Sequence, residues 1–417
     1  MKRLLQISLD TLLASILPIL MWLVLGFIIN KNISNIFSIT YPLQFLYMIF
    51  ITLFAVGPNI TYKKEKNNNV VCSNMLFGCF FVGTITVILC LNVDNYIKLM
   101  NISKNIYHSF CIYSIVLIYY NFCLQLLIQK LYYEGKNKEA NKISLLFNLT
   151  NFSSIIILSL LFGNIISIIV TLTIDFLILL NLFIKEFVKI KQFNFDLKLK
   201  KNIKYTSFVI LRDIGHLIIY GIGFGNSFSY GEKYLNAINF EGLTTDAQWD
   251  MLYSIDTAAK IDLSKNNFNY KKSLKDAYKL LAILISSILI MNFTLYWYFK
   301  PNIKILLIIL IVQIIDMLVE PLKAMRLNYI QINDNSSKHN IVYIISRFFR
   351  ILCSFIPSAF CTYIGQIFSM IYLYIYSKIE CRKVKLFMKN KDNLIIKKRN
   401  YNSRICDMWK KCIRKKI

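Results

Sequence analysis

Charge is scarce in this chain and acid is scarcer: 17% of its 417 residues are charged, and 22 Asp and Glu stand against 49 Lys and Arg. A soluble chain of this length carries about a quarter charged residues, so the composition argues against a soluble globular fold. Signatures of catalysis are missing too. There is no P-loop, which argues against an ATP-driven pump working from this chain alone. The ten cysteines are scattered, with no CxxC pair and no Cys/His cluster, so no metal site is expected. Most act as small apolar residues inside apolar stretches. The three histidines, His108, His216 and His339, are dispersed. No nucleophile–base pairing can be read, so the chain is expected not to be an enzyme and to hold no cofactor. No small-residue cleavage site follows the first long apolar stretch, so no cleavable signal peptide is expected.

Apolar residues fill the space left by charge: 56% are hydrophobic and 15% aromatic. Stretches of roughly 20 mostly apolar residues can cross ~30 Å of hydrocarbon as helices. Twelve are expected, at about 11–30, 36–58, 70–92, 107–129, 143–162, 165–184, 206–228, 236–259, 279–299, 303–322, 341–361 and 363–379. The fold class is therefore an all-α integral membrane protein. The seventh (Arg212, Asp213, His216) and eighth (Asn239 to Thr257) are too polar to be accepted on hydropathy alone. They are included because the charge pattern fails if only one of them crosses.

Cytoplasmic loops carry the Lys/Arg excess. With both termini inside, 40 Lys and Arg fall on the inner side and 6 on the outer, with Arg212, Arg347 and Arg350 within spans. The net charge of +27 then reflects topology and attraction to anionic lipid, and no nucleic-acid partner is expected. Residues 381–417 read as a basic cytoplasmic tail lying on the inner leaflet, where each basic residue is worth ~1 kcal/mol.

The longest inner loop, about 185–205, divides the chain. Residues 1–195 and 196–380 read as two six-helix bundles with the same loop rhythm. The fourth and tenth spans each run into a polar inner segment and a new helix, at 127–151 and 319–347. Bundles of this kind bind substrate between repeats.

This plan, the Gly135-containing connection YYEGKNKEANKISLLFNLTN (132–151) and the segment FEGLTTDAQWDMLYSIDTAAKIDLSKNN (240–267) resemble the MATE (multidrug and toxic compound extrusion) branch of the multidrug/oligosaccharidyl-lipid/polysaccharide exporter (MOP) superfamily, in a divergent bacterial member. The resemblance implies a monomer in the bacterial plasma membrane. It implies alternating-access export driven by a Na⁺ or H⁺ gradient, with cationic or amphiphilic compounds or lipid-linked sugars as substrate. MATE-like proteins that couple to cations commonly carry a carboxylate in the tenth helix. Here that position is Asp316, with Gln313 and Glu320 nearby. A seventh-helix acid maps to Asp213, which lies close to the inner face. A first-helix acid has no counterpart within 11–30.

Charged groups in hydrocarbon cost ~2.5–3.5 kcal/mol each on insertion scales and persist where they pair or meet water. On the eighth span Asn239, Asp246, Asp250, Tyr253 and Thr257 share one helical stripe. Asp246 and Asp250 lie one turn apart and repel, as a proton- or cation-coupled site requires. Glu241 and Gln248 lie off that stripe. The other reading is an ion-pair network in which these acids neutralise Arg212 and His216, or in which Arg212 pairs with Asp213. Asp175 sits midway along the sixth span among threonines, either protonated or paired across the bundle. Pro18, Pro42 and Pro357 are expected to kink their spans, and Glu320-Pro321 to break the tenth. Gly221, Gly223 and Gly225 suit a tight helix contact or a local break. Tyr296, Trp297 and Tyr298 fit an outer aromatic belt. Arg347 and Arg350 are expected to snorkel to the inner interface.

Three functions follow: a cation-coupled exporter of small organic cations, a lipid-linked saccharide flippase, and a non-transporting membrane protein. An acidic cavity favours the first and a basic one the second, and a bundle without a cleft favours the third.

Overall fold

The computed structural model describes residues 16–60, 68–102, 107–187, 194–264, 270–333 and 336–382; a few side chains within these stretches, Thr257 among them, lie outside the description. Among the described residues there is no strand. Twelve long helices follow one another: α1 (Ile16–Ile28), α2 (Lys31–Ile60), α3 (Asn68–Leu91), α4 (His108–Tyr133), α5 (Asn137–Phe162), α6 (Asn164–Phe187), α7 (Leu199–Ser229), α8 (Glu232–Ser264), α9 (Tyr270–Phe299), α10 (Ile303–Asn333), α11 (Ser336–Ser354) and α12 (361–382). Each overlaps one expected span, though α11 stops short of the expected end at 361. An apolar solvent leaves the backbone no partner but itself, and a helix satisfies every internal N–H and C=O.

Eight of the twelve are long and apolar enough to cross a membrane on composition. α8 is not among them, yet it forms one unbroken helix of 33 residues. At 1.5 Å per residue that is about 50 Å, more than the ~30 Å hydrocarbon layer. The outer surface is apolar along the helices: Leu161, Ile165, Ile290, Phe293 and Trp297 are each more than 60% exposed. A water-soluble protein rarely presents so continuous an apolar face, whereas a lipid-facing one must.

Contacts between helix ends establish that successive helices alternate in direction. At one end the close of α1 meets the close of α9 (Tyr298 hydroxyl to Gly26 carbonyl, 2.9 Å). There too the start of α2 meets the starts of α4 and α8. At the other end, next to the basic loops, the start of α3 meets the start of α7 (Asn202 to Asn74, 3.1 Å). Lys130 near the close of α4 pairs there with Glu186 near the close of α6.

α2 is the hinge of the arrangement. It packs on α4 within the first six helices and on α7 and α8 of the last six. It starts as a tight turn over Lys31–Asn35, capped by the Asn30 side chain, and widens to a π-turn at Thr52–Val56 before closing. Such widenings change the direction in which the helix presents its side chains.

Two expectations about proline fail. α11 ends at Ser354, and Pro357 lies in the non-helical turn 355–360 rather than inside a span. A residue with no N–H and a fixed φ is easily placed where a helix has stopped. Conversely, α10 runs through Pro321 to Asn333, so Glu320-Pro321 does not break it. Pro42 does lie inside its helix. The basic tail lies, beyond residue 382, outside the described residues.

Candidate functional site

α2, α7, α8, α10, α11 and α12 converge on a cavity of about 50 Å³ at the seam between the first and last six helices. One water needs about 10–15 Å³ of such space, so a few fit. Phe37 and Tyr41 come from α2, Tyr220 and Phe224 from α7, Glu241 and Asp246 from α8, Gln313 from α10, Arg350 from α11, and Thr362, Tyr363 and Gln366 from α12.

The wall contributed by α8 is not the stripe expected from sequence. Ile238, Glu241, Gly242 and Asp246 line the cavity. At 100° per residue their mean direction is turned by roughly 80° from that of Asn239, Asp246, Asp250, Tyr253 and Thr257, and Asp246 is the shared edge. Glu241, set aside in the sequence, is therefore a cavity residue. Gln248 faces the other way, toward Ser287 and Met291 of α9. Asp250 is half-buried and Tyr253 is 53% exposed. The side chain of Thr257 lies outside the described residues.

The two cavity acids differ in their surroundings. Glu241 is buried and satisfied: Thr245 donates to Oε1 (2.6 Å) and Tyr363 to Oε2 (3.2 Å). Asp246 is half-buried, with the Tyr41 hydroxyl beside it. An aromatic group shares the wall with them. Phe45 stacks on Tyr220 (5.1 Å, 7°), and Tyr41 and Phe224 meet Tyr220 edge-on (5.0 and 5.2 Å). His216 lies against Phe45 at 4.9 Å. Aromatic surfaces bury much area while keeping a fixed shape.

Arg350 does not snorkel to an interface. Its Nη2 donates to the Tyr220 hydroxyl (3.2 Å), and its guanidinium sits 5.5 Å from that ring's centre. Its Nε is buried with no partner, and no carboxylate pairs with it among the described residues. Arg347, one turn earlier, likewise has a buried Nε without a partner.

Asp316 reaches this cavity through a relay. Trp249 donates to Gln313 Oε1 (2.9 Å), Gln366 donates to the same oxygen (3.1 Å) and to Asp316 Oδ2 (2.8 Å). Lys323 approaches the other Asp316 oxygen at 3.5 Å and pairs with Glu320. The tenth-helix acid is thus neutralised within its own helix.

The remaining candidates lie elsewhere. Arg212 pairs with Asp213 (Nε to Oδ1, 2.8 Å), whose other oxygen accepts from Thr52 of α2 (3.5 Å); this settles its partner as its neighbour rather than an α8 aspartate. Asp175 is completely buried among the first six helices. Asn151 donates to its Oδ2 (2.6 Å) and accepts from Tyr113 (3.2 Å). Asp175 Oδ1 and the buried Thr171 hydroxyl have no hydrogen-bond partner.

Asn239 belongs to a seal. At the end away from the basic loops, Asn239 Nδ2 donates to Ser34 Oγ (3.1 Å) and Ser38 N donates to Asn239 Oδ1 (3.4 Å). Asn35 donates to Asn236 (2.7 Å). At the basic end, a Cβ on Gly57 of α2 would stand 2.9 Å from Asn202 Cβ of α7. α2 is thus tied to α8 at one end of the seam and to α7 at the other. Gly223 permits a close approach nearby: a Cβ there would meet Thr362 Cγ2 at 2.4 Å. Of the two roles open to that glycine run, the tight contact is the one realised, because α7 continues unbroken to Ser229.

Sequence reasoning missed Glu241, Tyr41, Tyr220, Tyr363 and Gln366. Glu241 carried a signal, a further acid inside a span that already held Asp246 and Asp250, with a threonine at i+4. The tyrosines carried none, because aromatics are common throughout the chain.

No family model matches the chain, and no curated protein does. Solved structures do. A multidrug resistance MATE family transporter of the MOP superfamily, in an outward-facing conformation, is similar over 92% of this chain and 96% of its own, with 15% identity and a TM-score of 0.60. A MOP superfamily transporter from Pyrococcus furiosus, described as having a binding pocket of reverse polarity, covers the same shares at 14% identity and 0.60. The lipid II flippase MurJ, in an inward closed conformation, is similar over 92% of this chain and 90% of its own, with 17% identity and 0.63. The chain has the fold of these MATE and MOP transporters.

Proposed function

We propose that this protein is a secondary transporter that exports a small charged organic compound by alternating access, coupled to Na⁺ or H⁺. The observation that carries it is the aromatic-walled cavity at the seam, with Glu241 and Asp246 on its wall. A ligand site is concave and mostly apolar, with a few placed polar groups. Here it lies between two sets of six helices whose relative rocking would open one end or the other. The seal residues Asn35, Asn236 and Asn239 and the close Gly57–Asn202 contact are where those ends would part.

Coupling is best assigned to Asp175. Asp316 already has Lys323 and Gln366, whereas Asp175 and Thr171 keep buried oxygens with no hydrogen-bond partner. Those two oxygens leave a place for a coupling ion between them. Its distance in sequence and helix from the cavity separates the coupling ion from the organic substrate. Efflux of a fluorescent cation from proteoliposomes with an imposed Na⁺ or pH gradient tests the whole reading. Gradient-driven efflux lost in Asp246→Asn and Glu241→Gln supports it. Efflux that ignores both substitutions and both gradients overturns it.

The flippase reading has one observation in its favour, the guanidinium of Arg350 at the cavity wall. Two acidic side chains, Glu241 and Asp246, share that wall with it.

A further inference from the structure

The cavity holds opposite charges that do not pair with each other. Asp246 and Glu241 line one side through α8, and Arg350 enters from α11. Glu241 is occupied by Thr245 and Tyr363. Arg350 spends one N–H on the Tyr220 hydroxyl and makes no ion pair among the described residues. Thr362, 3% exposed and also on the cavity wall, has a buried hydroxyl with no hydrogen-bond partner. Charges in a low-dielectric space interact strongly and are expensive to leave without partners. If these groups served only one another they would have closed into an ion pair, as Lys323 and Glu320 do on α10. They instead line one cavity without pairing, and Arg350 is engaged by Tyr220. A ligand that was only a cation would gain from Asp246 and lose to Arg350, and a ligand that was only an anion would do the reverse.

We infer that the cavity is built for a zwitterion: its amine cation meets Asp246 and Glu241, its carboxylate or phosphate meets Arg350, and a flat apolar body lies among Tyr41, Tyr220 and Phe224. A guanidinium suits this task because its planar fork matches the oxygens of a carboxylate or a phosphate. Thr362 supplies one further hydroxyl to the bound group. The aromatic wall recognises a planar body by area and shape. This inference rests on the transporter reading of the same cavity and narrows its substrate.

The test uses the full-length purified protein and triplets of probes sharing one scaffold. Tryptamine, tryptophan and indole-3-propionate form an indole triplet. Phenethylamine, phenylalanine and hydrocinnamate form a phenyl one. A long-chain alkylamine, a lysophosphatidylethanolamine and a lysophosphatidic acid form a lipid-borne one. Equilibrium binding is measured by displacement of a radiolabelled member of each set. At least one triplet is expected to show the zwitterion bound about tenfold more tightly than both its amine and its acid. A soluble winner and a lipid-borne winner both support the inference and identify the source of the zwitterion. Arg350→Gln is expected to remove that preference, leaving zwitterion and amine within about threefold. Arg350→Lys, which keeps the charge, retains part of the preference and shows that the pocket still folds. If no triplet favours its zwitterion, or if Arg350→Gln leaves the preference intact, the inference is overturned. Vesicle flux of the same probes separates the two readings. Flux that favours the plain amines refutes the zwitterion and keeps the transporter. Zwitterion binding without flux refutes the transporter and keeps the site.

Discussion

Opening the cavity away from the basic loops requires the Asn236–Asn239 segment of α8 to leave the start of α2. Three hydrogen bonds cross there: Asn35 to Asn236 (2.7 Å), Asn239 to Ser34 (3.1 Å) and Ser38 N to Asn239 (3.4 Å). The double substitution Asn236→Ala/Asn239→Ala removes all three and leaves the bundle's apolar contacts in place. Side-chain hydrogen bonds inside membrane proteins average about 0.6 kcal/mol each, so the sealed state should lose roughly 2 kcal/mol relative to the opened one. At 1.4 kcal/mol per tenfold, the ratio of opened to sealed molecules should rise about twentyfold. The assay is the labelling rate of a cysteine placed at Ser38, beside the cavity, by a membrane-impermeant maleimide added from outside. A cysteine-free background is needed, because eight free cysteines lie among the described residues. The rate should climb by that factor while total protein and thermal stability change little. An unchanged rate would refute the view that this asparagine seam is a gate, and a rate raised equally from inside would indicate general loosening.

Other outcomes can be checked more briefly. Gly223→Ala should overpack the α7–α12 contact and lower stability by about 1–3 kcal/mol. Adding Thr362→Ser, which deletes the methyl 2.4 Å away, should restore the melting temperature in detergent. Lys323→Met should strand Glu320 and Asp316 without their cation and destabilise by about 3–5 kcal/mol, measured by unfolding, with recovery on adding Glu320→Gln. Asp175→Asn should abolish the dependence of efflux on the imposed gradient while leaving equilibrium binding of substrate unchanged; loss of binding would place Asp175 in the substrate site instead.

Much of the architecture was legible because hydrocarbon enforces simple rules. Every expected span overlaps a helix among the described residues, including α8, which hydropathy alone rejects and which the charge alternation required. The site was legible only at its edge. Asp246 was found because an acid in a span is conspicuous, and it does line the cavity. The stripe built on it pointed roughly 80° away from the true wall, because a helix with polar residues on several faces does not declare which face meets which neighbour. Gln248 turned out to serve the α8–α9 contact. Asp316, singled out by family resemblance, is engaged by Lys323 about two turns further along α10, a pairing that was not drawn at the sequence level. Arg350 looked like an interfacial cation, and only its contact with Tyr220 on another helix turns it inward.

The sequence by itself determined that this chain is an all-α membrane protein of about twelve helices, and which loops carry the positive charge. Both depend on apolar length and on lysine and arginine placement, quantities that are local along the chain. Tertiary structure decided which polar groups meet: Glu241 with Tyr363, Arg350 with Tyr220, and Asn239 with the start of α2. Those pairings depend on how far each helix is rotated about its axis. That rotation is set by packing between residues more than a hundred positions apart, which no single stretch of sequence encodes.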